Sequence, residues 1–236
     1  ADALHNGARM AVPISVACAV AGIVVGTIGQ TGIGLQFTES VVGMSNGQLW
    51  LALTLVALAA LVLGMGLPAT AAYIVLAVMT APALQELGLA LITAHMIIFW
   101  LSQTSNVTPP IALAAFAGAG IAGAAPMRAA VEAFKLASGL FVIPLMMAFS
   151  PLLLTPERSW LDVLPAAGLS LCMVLGIAMA VEGYLFVRLR RYLVVISALS
   201  VVLMLWPSMV SRSIGAVLCL SVVAANYLNS RKSTVQ

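Results

Sequence analysis

The feature that most constrains this chain is a series of long apolar runs that contain no charged residue. Between Glu39 and Glu86, for example, no acidic or basic side chain interrupts the sequence. Only 7% of all residues are charged, whereas soluble domains carry about 25%. A soluble protein could not cover its surface with so few polar groups, but a protein surrounded by lipid needs no such cover. The sequence therefore predicts an integral membrane protein.

The composition of these runs indicates which kind of membrane fold to expect. In lipid, every backbone N–H and C=O must be satisfied within the protein, which leaves α-helices or closed β-barrels. The runs are rich in Leu, Ala, Val and Ile and lack the period-two alternation of barrel strands. We therefore expect an all-α, polytopic helical bundle.

Two interruptions of the apolar pattern stand out. Segments 48–63 and 71–84 are joined by Gly-Met-Gly-Leu-Pro-Ala-Thr at 64–70. Each segment is shorter than the about 20 residues of a full crossing, which predicts a re-entrant hairpin with a Gly/Pro tip. The apolar stretch 91–123 is interrupted at 102–110, where two adjacent prolines remove backbone donors and disfavour helix before them. This pattern predicts a broken helix with an unwound middle.

The remaining segments complete a four-part organisation. Residues 1–47 are expected to form the first transmembrane helix and an outer loop, and residues 48–127 a transport-type core with the hairpin (48–84) and the broken helix (91–123). Residues 128–187 are expected to form two transmembrane helices, and residues 188–236 a C-terminal helical hairpin with a basic tail.

The two interruptions are also the candidate binding site. Unwound carbonyls and the C-terminal ends of half-helices can coordinate a cation, while half-helix N-termini attract anions. Hydroxyl and amide side chains could complete such a site; they are Thr70, Ser102, Thr104, Ser105, Asn106 and Thr108. The alternative is that these residues only kink helices for packing. His95, in the helix before the break, is either a proton-relay residue or a residue near the outer interface.

The inventory of reactive residues argues against an enzyme. The sequence has no His-Glu-x-x-His zinc motif, no Gly-x-Ser-x-Gly elbow and no phosphate-binding glycine loop before a lysine. The three cysteines lie inside apolar runs at spacings that fit no metal motif. No basic patch with interleaved aromatic residues suggests nucleic acid as a partner.

The two interruptions carry a family resemblance. The stretch 64–73, Gly-Met-Gly-Leu-Pro-Ala-Thr-Ala-Ala-Tyr, and the stretch 105–116, Ser-Asn-Val-Thr-Pro-Pro-Ile-Ala-Leu-Ala-Ala-Phe, resemble signatures of the large permease subunit of tripartite ATP-independent periplasmic (TRAP) transporters. Residues 119–124 and Glu182-Gly183-Tyr184 are similar to the TAXI branch of that family. The resemblance extends over roughly residues 8 to 227.

The resemblance implies an elevator-type secondary transporter in a bacterial inner membrane. It implies sodium as the coupling ion, with no other cofactor, and an extracytoplasmic binding protein that delivers an organic anion, usually a carboxylate. Further implied partners are a small membrane subunit, or fused N-terminal helices, and the other half of the permease. Family permeases contain two inverted repeats, whereas one hairpin and one broken helix appear here, so the chain resembles the C-terminal half. The rival interpretation is a non-transporting assembly or scaffold subunit of the membrane.

The resemblance also implies site residues. In the family, the hairpin tip and the broken-helix loop together hold a sodium ion. Carried onto this sequence, the sodium ligands are Gly64, Met65, Gly66, Leu67, Thr70, Asn106 and Thr108. The substrate-binding candidates are Ser105, Pro109 and Pro110. Many relatives outside the TAXI branch have an Asp where this chain has Pro68, so a sodium site here would have to consist of neutral ligands.

The distribution of basic residues predicts the orientation in the membrane. Arg9, Arg128, Lys135 and the cluster at 188–191 are placed in the cytoplasm, which puts the loop 155–162 outside. We expect a Ser159→Cys variant to react with a membrane-impermeant thiol reagent in intact cells. The parent chain is the control, because its own cysteines lie in apolar segments. Labelling that appears only after lysis would reverse the predicted orientation.

Overall fold

The computed structural model describes residues 2–153, 159–206 and 208–233. In this part of the chain it has eleven α-helices. Their bounds are α1 Asp2–Thr31, α2 Ile33–Ser45, α3 Leu49–Gly64, α4 Ala69–Glu86, α5 Leu91–Thr104, α6 Leu113–Ala122, α7 Pro126–Leu136, α8 Gly139–Phe149, α9 Trp160–Glu182, α10 Arg191–Leu205 and α11 Met209–Ser233.

Several of these helices are long and apolar enough to cross a membrane. Among the described residues there are four such spans, or five if the bent pair α1–α2 counts as one. They are Ala69–Glu86, Pro126–Phe149, Trp160–Glu182 and Met209–Arg231. Large apolar side chains also remain exposed along most helices, which suits a surface in contact with lipid. The prediction of an all-α, polytopic membrane bundle is confirmed.

The chain divides into two compact units, Ala1–Phe134 and Lys135–Gln236. In the first unit, α4 is the central helix, because it packs against α1, α2, α3 and α5. A core cluster joins Ala21 and Ile28 of α1 to Ala71, Val75 and Met79 of α4. The small residues of α4 explain this position, since alanines let neighbouring helices approach closely.

The segment after the first helix, predicted as an outer loop, is mostly helical. Residues 33–45 form helix α2, which bends by 74° away from α1. The bend occurs at Gly32, whose φ of 70° is open to glycine without strain. The glycines of this stretch therefore mark the two ends of α2, at Gly32 and Gly47, and do not indicate a continuous loop.

The broken helix is confirmed, whereas the hairpin differs from its predicted length. Helices α5 and α6 are separated by an unwound segment at 105–112. The second leg of the hairpin, expected at 71–84, is the 18-residue helix α4, long enough to span by itself, while the first leg has 16 residues. Pro82 lies inside α4 without ending it. The first half of the loop predicted at 155–162 lies outside the described residues, which resume at Ser159, the N-cap of α9.

The second unit is built around α9, α10 and α11, which pack against one another. Arg212 of α11 is buried and donates hydrogen bonds to two backbone carbonyls. Its Nη2 lies 3.0 Å from the oxygen of Phe149, the last residue of α8, and its Nε lies 3.2 Å from the oxygen of Trp206, which follows α10. The guanidinium thus binds carbonyls at the C-terminal ends of two helices, where the helix macrodipole favours a cation.

Gly215 provides the closest approach between α10 and α11. A Cβ at this position would lie 2.6 Å from Cγ of Met204 and 2.7 Å from the carbonyl oxygen of Ser200. The backbone of α10 cannot move away without loosening the pair. We therefore expect Gly215→Ala to destabilise the protein by about 1–3 kcal/mol, as overpacking does, and to lower the Tm of the purified chain in detergent.

Gly168→Ala in α9 is the matched control for this variant. A Cβ at Gly168 would meet nothing within 4 Å, and alanine is the better helix former by about 1 kcal/mol. The control should have the Tm of the parent or a slightly higher one. Equal melting temperatures for both variants and the parent would contradict the close packing at Gly215.

Candidate functional site

The hairpin tip is a short turn between two helices. Helix α3 ends at Gly64, α4 begins at Ala69, and the amide of Leu67 donates to the carbonyl of Gly64 at 3.2 Å. Gly66 has a φ of 77°, a conformation that glycine adopts without strain, and Pro68 is the N-cap of α4. The sequence Gly-Met-Gly-Leu-Pro therefore ends one helix and starts the next within four residues.

The break between α5 and α6 is lined by hydroxyl groups that bind nearby carbonyls. The hydroxyls of Ser102, Thr104, Ser105 and Thr108 each donate to a carbonyl three or four residues earlier, at 2.6 to 2.9 Å. The amide of Ala114 donates to the carbonyl of Asn106 at 3.1 Å, which ties the start of α6 back to the break. Each hydroxyl uses its proton in this way; the oxygen of Ser102 also accepts from Nε2 of Gln103 at 3.3 Å, whereas those of Thr104, Ser105 and Thr108 can still act as acceptors.

The tip and the break meet at Gly64 and Ser105. A Cβ at Gly64 would lie 2.6 Å from Oγ of Ser105 and 2.9 Å from its Cβ, so only glycine fits at this position. A Cβ at Gly66 would lie 3.9 Å from Cγ2 of Ile111, which is ordinary van der Waals contact. The two segments singled out from the sequence are therefore neighbours, and their closest contact involves the residues that end α3 and follow α5.

Asn106 has the most informative side chain in the break. Its Nδ2 is buried and, within the described part of the chain, has no hydrogen-bond partner. A buried amide without a partner is unfavourable by about 1–3 kcal/mol. Among the described residues, no other buried side-chain N or O atom lacks a hydrogen-bond partner. The Nδ2 donor would be satisfied by an acceptor, such as a water molecule or an oxygen of a bound ligand.

The other residues predicted for the site are distributed unevenly. Thr70 is exposed, because Ala71 and Ala72 occupy the buried side of the first turn of α4. Asn106 and Thr108, in the break, are half-buried. Met65 and Leu67 are half-buried, and Leu67 packs against the cluster formed by α1 and α4.

The proline pair lies in the second half of the break. Pro109 is half-buried and Pro110 is exposed. The peptide bond between them is cis.

A polar contact that sequence reasoning missed joins the hairpin to the broken helix. The hydroxyl of Tyr73 in α4 lies 3.0 Å from Nδ1 of His95 in α5, and the Tyr73 ring also makes edge contacts with His95 and Phe99. Tyr73 and His95 each carry a polar group in an otherwise apolar helix, and this was the sequence signal that could have indicated their pairing. This contact gives Nδ1 of His95 a hydrogen-bond partner within the protein.

The site has no charged ligands of its own. Among the described residues, no group of three or more His, Cys, Asp or Glu side chains could hold a metal ion. The groups available at the tip and the break are neutral carbonyls, hydroxyls and one amide. Such a set can bind a monovalent cation through carbonyl and hydroxyl oxygens.

The contact at Gly64 can be tested by a compensating pair of substitutions. We expect Gly64→Ala to lower the Tm of the purified chain, because its methyl group would overlap the Ser105 side chain. The double variant Gly64→Ala/Ser105→Gly removes the overlapping atoms and should recover most of the loss. Gly118→Ala, in open space on α6, is the control and should melt like the parent. A double variant no more stable than Gly64→Ala would mean that these residues are not in contact.

Comparison with known proteins identifies the family. Residues 1–155 match the family described as the DctM component of tripartite ATP-independent periplasmic transporters. The matched region is more than half of the chain and includes both the hairpin and the broken helix. It ends at residue 155, whereas the resemblance seen in the sequence motifs extended to about residue 227. No curated protein and no solved structure matches the chain. The family is one of transporter permeases and not of enzymes or scaffold subunits, and this chain belongs to the DctM component family of tripartite ATP-independent periplasmic transporters.

Proposed function

We propose that this chain is part of a sodium-driven secondary transporter that imports organic anions, of the carboxylate class, delivered by an extracytoplasmic binding protein. Membership of the permease family supports transport through a membrane. The observation that supports sodium coupling is the meeting of the hairpin tip with the broken helix at Gly64 and Ser105. The charges at this meeting point follow from the directions of the helices.

Two helices end where Gly64 meets Ser105. Helix α3 ends at Gly64 and α5 ends at Thr104, so the C-terminal ends of both helices lie at this contact. Each C-terminus corresponds to roughly half a negative charge. Two such ends side by side repel each other unless a cation lies between or beside them. This arrangement supports a sodium site that has no carboxylate ligand. Such a site is needed here because Pro68 stands where many relatives have an Asp.

Asn106 and Thr108 supply the side chains of the proposed ion site. A half-turn about χ2 exchanges Oδ1 and Nδ2 of Asn106, so the buried position now taken by Nδ2 can equally present an oxygen to a cation. The hydroxyl of Thr108 donates to the carbonyl of Thr104 at 2.6 Å and keeps its oxygen lone pairs for a ligand. Both side chains follow directly after the C-terminal end of α5.

The opposite helix ends support the anionic substrate. Helices α4 and α6 begin at Ala69 and Leu113, directly after the tip and the break. Their N-termini present free N–H groups and partial positive charge, which favour a carboxylate. Thr70 lies in the first turn of α4 and is exposed, so we assign it to the substrate side and not to the sodium site. Pro109 and Pro110 are placed on the same side, because they precede α6.

The remaining assignments follow from the resemblance to the TAXI branch. We propose that the chain represents the C-terminal half of the permease, and that the full transporter supplies a second, inverted hairpin and broken helix. A small membrane subunit, or fused N-terminal helices, and the extracytoplasmic binding protein complete the system in a bacterial inner membrane. The family match supports partners of these types, because the matched family is one component of a tripartite transporter.

The sodium proposal predicts the effect of two substitutions in the complete transporter. Asn106→Ala and Thr108→Ala each remove one proposed ligand, so the sodium concentration for half-maximal uptake should rise about tenfold, equivalent to ~1.4 kcal/mol. The measurement is the sodium-activation curve of uptake, normalised to the amount of protein in the membrane.

Thr54→Ala is the matched control for these variants. Thr54 lies on the first leg of the hairpin, and its hydroxyl donates to the carbonyl of Trp50, as threonine does in an ordinary helix. Its sodium dependence should equal that of the parent. If Asn106→Ala and Thr108→Ala also keep the parent's half-maximal concentration, these side chains are not sodium ligands.

A further inference from the structure

The second unit contains an ordered turn that has no part in the proposed sodium site. It connects α9 to α10 and covers residues 183–190. The amide of Leu189 donates to the carbonyl of Gly183 at 2.8 Å, and Tyr184 and Arg188 form an isolated antiparallel bridge. The turn is therefore a closed loop with a fixed conformation.

A buried asparagine on α11 holds this turn in place. Oδ1 of Asn226 accepts from the amides of Phe186 and Val187 at 3.0 and 3.3 Å, and its Nδ2 donates to the carbonyl of Val187 at 2.9 Å. Asn226 is 1% exposed, and Leu189 anchors the other side of the turn in the core. Three hydrogen bonds from one buried side chain fix the turn against α11.

Three of the exposed side chains in and next to this turn are basic. Arg188, Arg190 and Arg191 are all exposed, and in the part of the chain that the structure describes their guanidinium groups have no hydrogen-bond or ion-pair partner. Helix stability does not explain them, because Arg190 and Arg191 lie at the start of α10, where the macrodipole disfavours positive charge. The only acidic residue in the neighbouring sequence is Glu182.

Aromatic side chains flank these arginines on both sides in the sequence. Tyr184, Phe186 and Tyr192 are 58%, 49% and 54% exposed. The Phe186 ring makes an edge contact with Tyr227 of α11 at 5.6 Å, and Arg231 lies over the Tyr227 ring at 5.2 Å. We call this surface the arginine–aromatic turn: Tyr184, Phe186, Arg188, Arg190, Arg191, Tyr192, Tyr227 and Arg231.

The position of this surface along the helices indicates its surroundings. The candidate span Trp160–Glu182 ends directly before the turn, and the span Met209–Arg231 ends beside it, as the contacts of Asn226 and Tyr227 show. Where two apolar spans end together, the chain passes from hydrocarbon into the headgroup layer. Tyrosine is enriched at that level, and its neighbouring arginines lie at the height of lipid phosphates.

We propose that the arginine–aromatic turn binds the phosphate headgroup of an anionic phospholipid. The guanidinium groups would form charge-assisted hydrogen bonds to the phosphate oxygens, and the exposed rings would lie against the glycerol and the upper acyl chain. A preformed turn loses little conformational entropy on binding, so the site selects a lipid more strongly than scattered surface arginines would. A lipid fits this surface better than a soluble anion, because the aromatic side chains provide apolar area beside the charges.

The proposal is tested with the full chain purified in detergent. Phosphatidylglycerol and phosphatidylcholine are titrated separately, lipid retention is measured by native mass spectrometry, and the Tm is recorded in parallel. We expect retention of phosphatidylglycerol with a raised Tm and little effect of phosphatidylcholine. Each substitution Arg188→Gln, Arg190→Gln or Arg191→Gln should weaken phosphatidylglycerol binding about fivefold.

The control variant is Arg9→Gln. Arg9 is exposed, belongs to the first unit and is predicted to lie on the same side of the membrane as the arginine–aromatic turn. This variant removes one charge outside the turn and should bind phosphatidylglycerol like the parent. An equal loss in Arg9→Gln would show general charge attraction and overturn the proposal. So would unchanged binding in all three single variants, or a Tm shift that inorganic phosphate reproduces in full. These readouts are independent of transport, so a failed sodium proposal leaves this one unaffected.

Discussion

Backbone polar groups that leave a helix within a membrane must find partners inside the protein, and this constraint determines how the first unit is built. The hairpin tip and the break between α5 and α6 both expose carbonyls that a continuous helix would use. The hydroxyls of Ser105 and Thr108 bind two of these carbonyls, those of Ser102 and Thr104. The tip and the break then cover each other at Gly64, where the absence of a side chain allows the contact.

Much of this architecture could be predicted from the sequence, because its signals are local. Charge-free runs identify membrane helices, and Pro109-Pro110 identifies the break. The bend at Gly32 was not predicted, since a glycine-rich stretch fits a loop as well as it fits a helix that packs on α4. The predicted segment 71–84 was two residues short at each end of α4, because Ala69 and Thr70 were assigned to the hairpin tip and the polar residues Gln85 and Glu86 end the apolar run.

The candidate site was predictable in its segments but not in the orientation of its side chains. Gly64 and Asn106 could be selected from motifs, whereas the exposed position of Thr70 depends on which side of α4 faces its neighbours. The pairing of Tyr73 with His95 likewise depends on the rotation of two helices about their axes. Such rotations are set by tertiary packing, and in a helix that is apolar on every side the sequence contains no periodicity to reveal them.

Arg212 has a consequence for the way in which the second unit enters the membrane. An arginine remains charged at any pH that a cell experiences, and its two carbonyl partners come from the ends of α8 and α10. Neither partner is in place while α11 is inserting as a separate segment, so an isolated α11 would bring an uncompensated charge towards the lipid. The two carbonyls become available to Arg212 only when the ends of α8 and α10 lie beside the first turn of α11. Before that, the guanidinium remains hydrated at the interface, so the burial of this end of α11 is coupled to tertiary assembly.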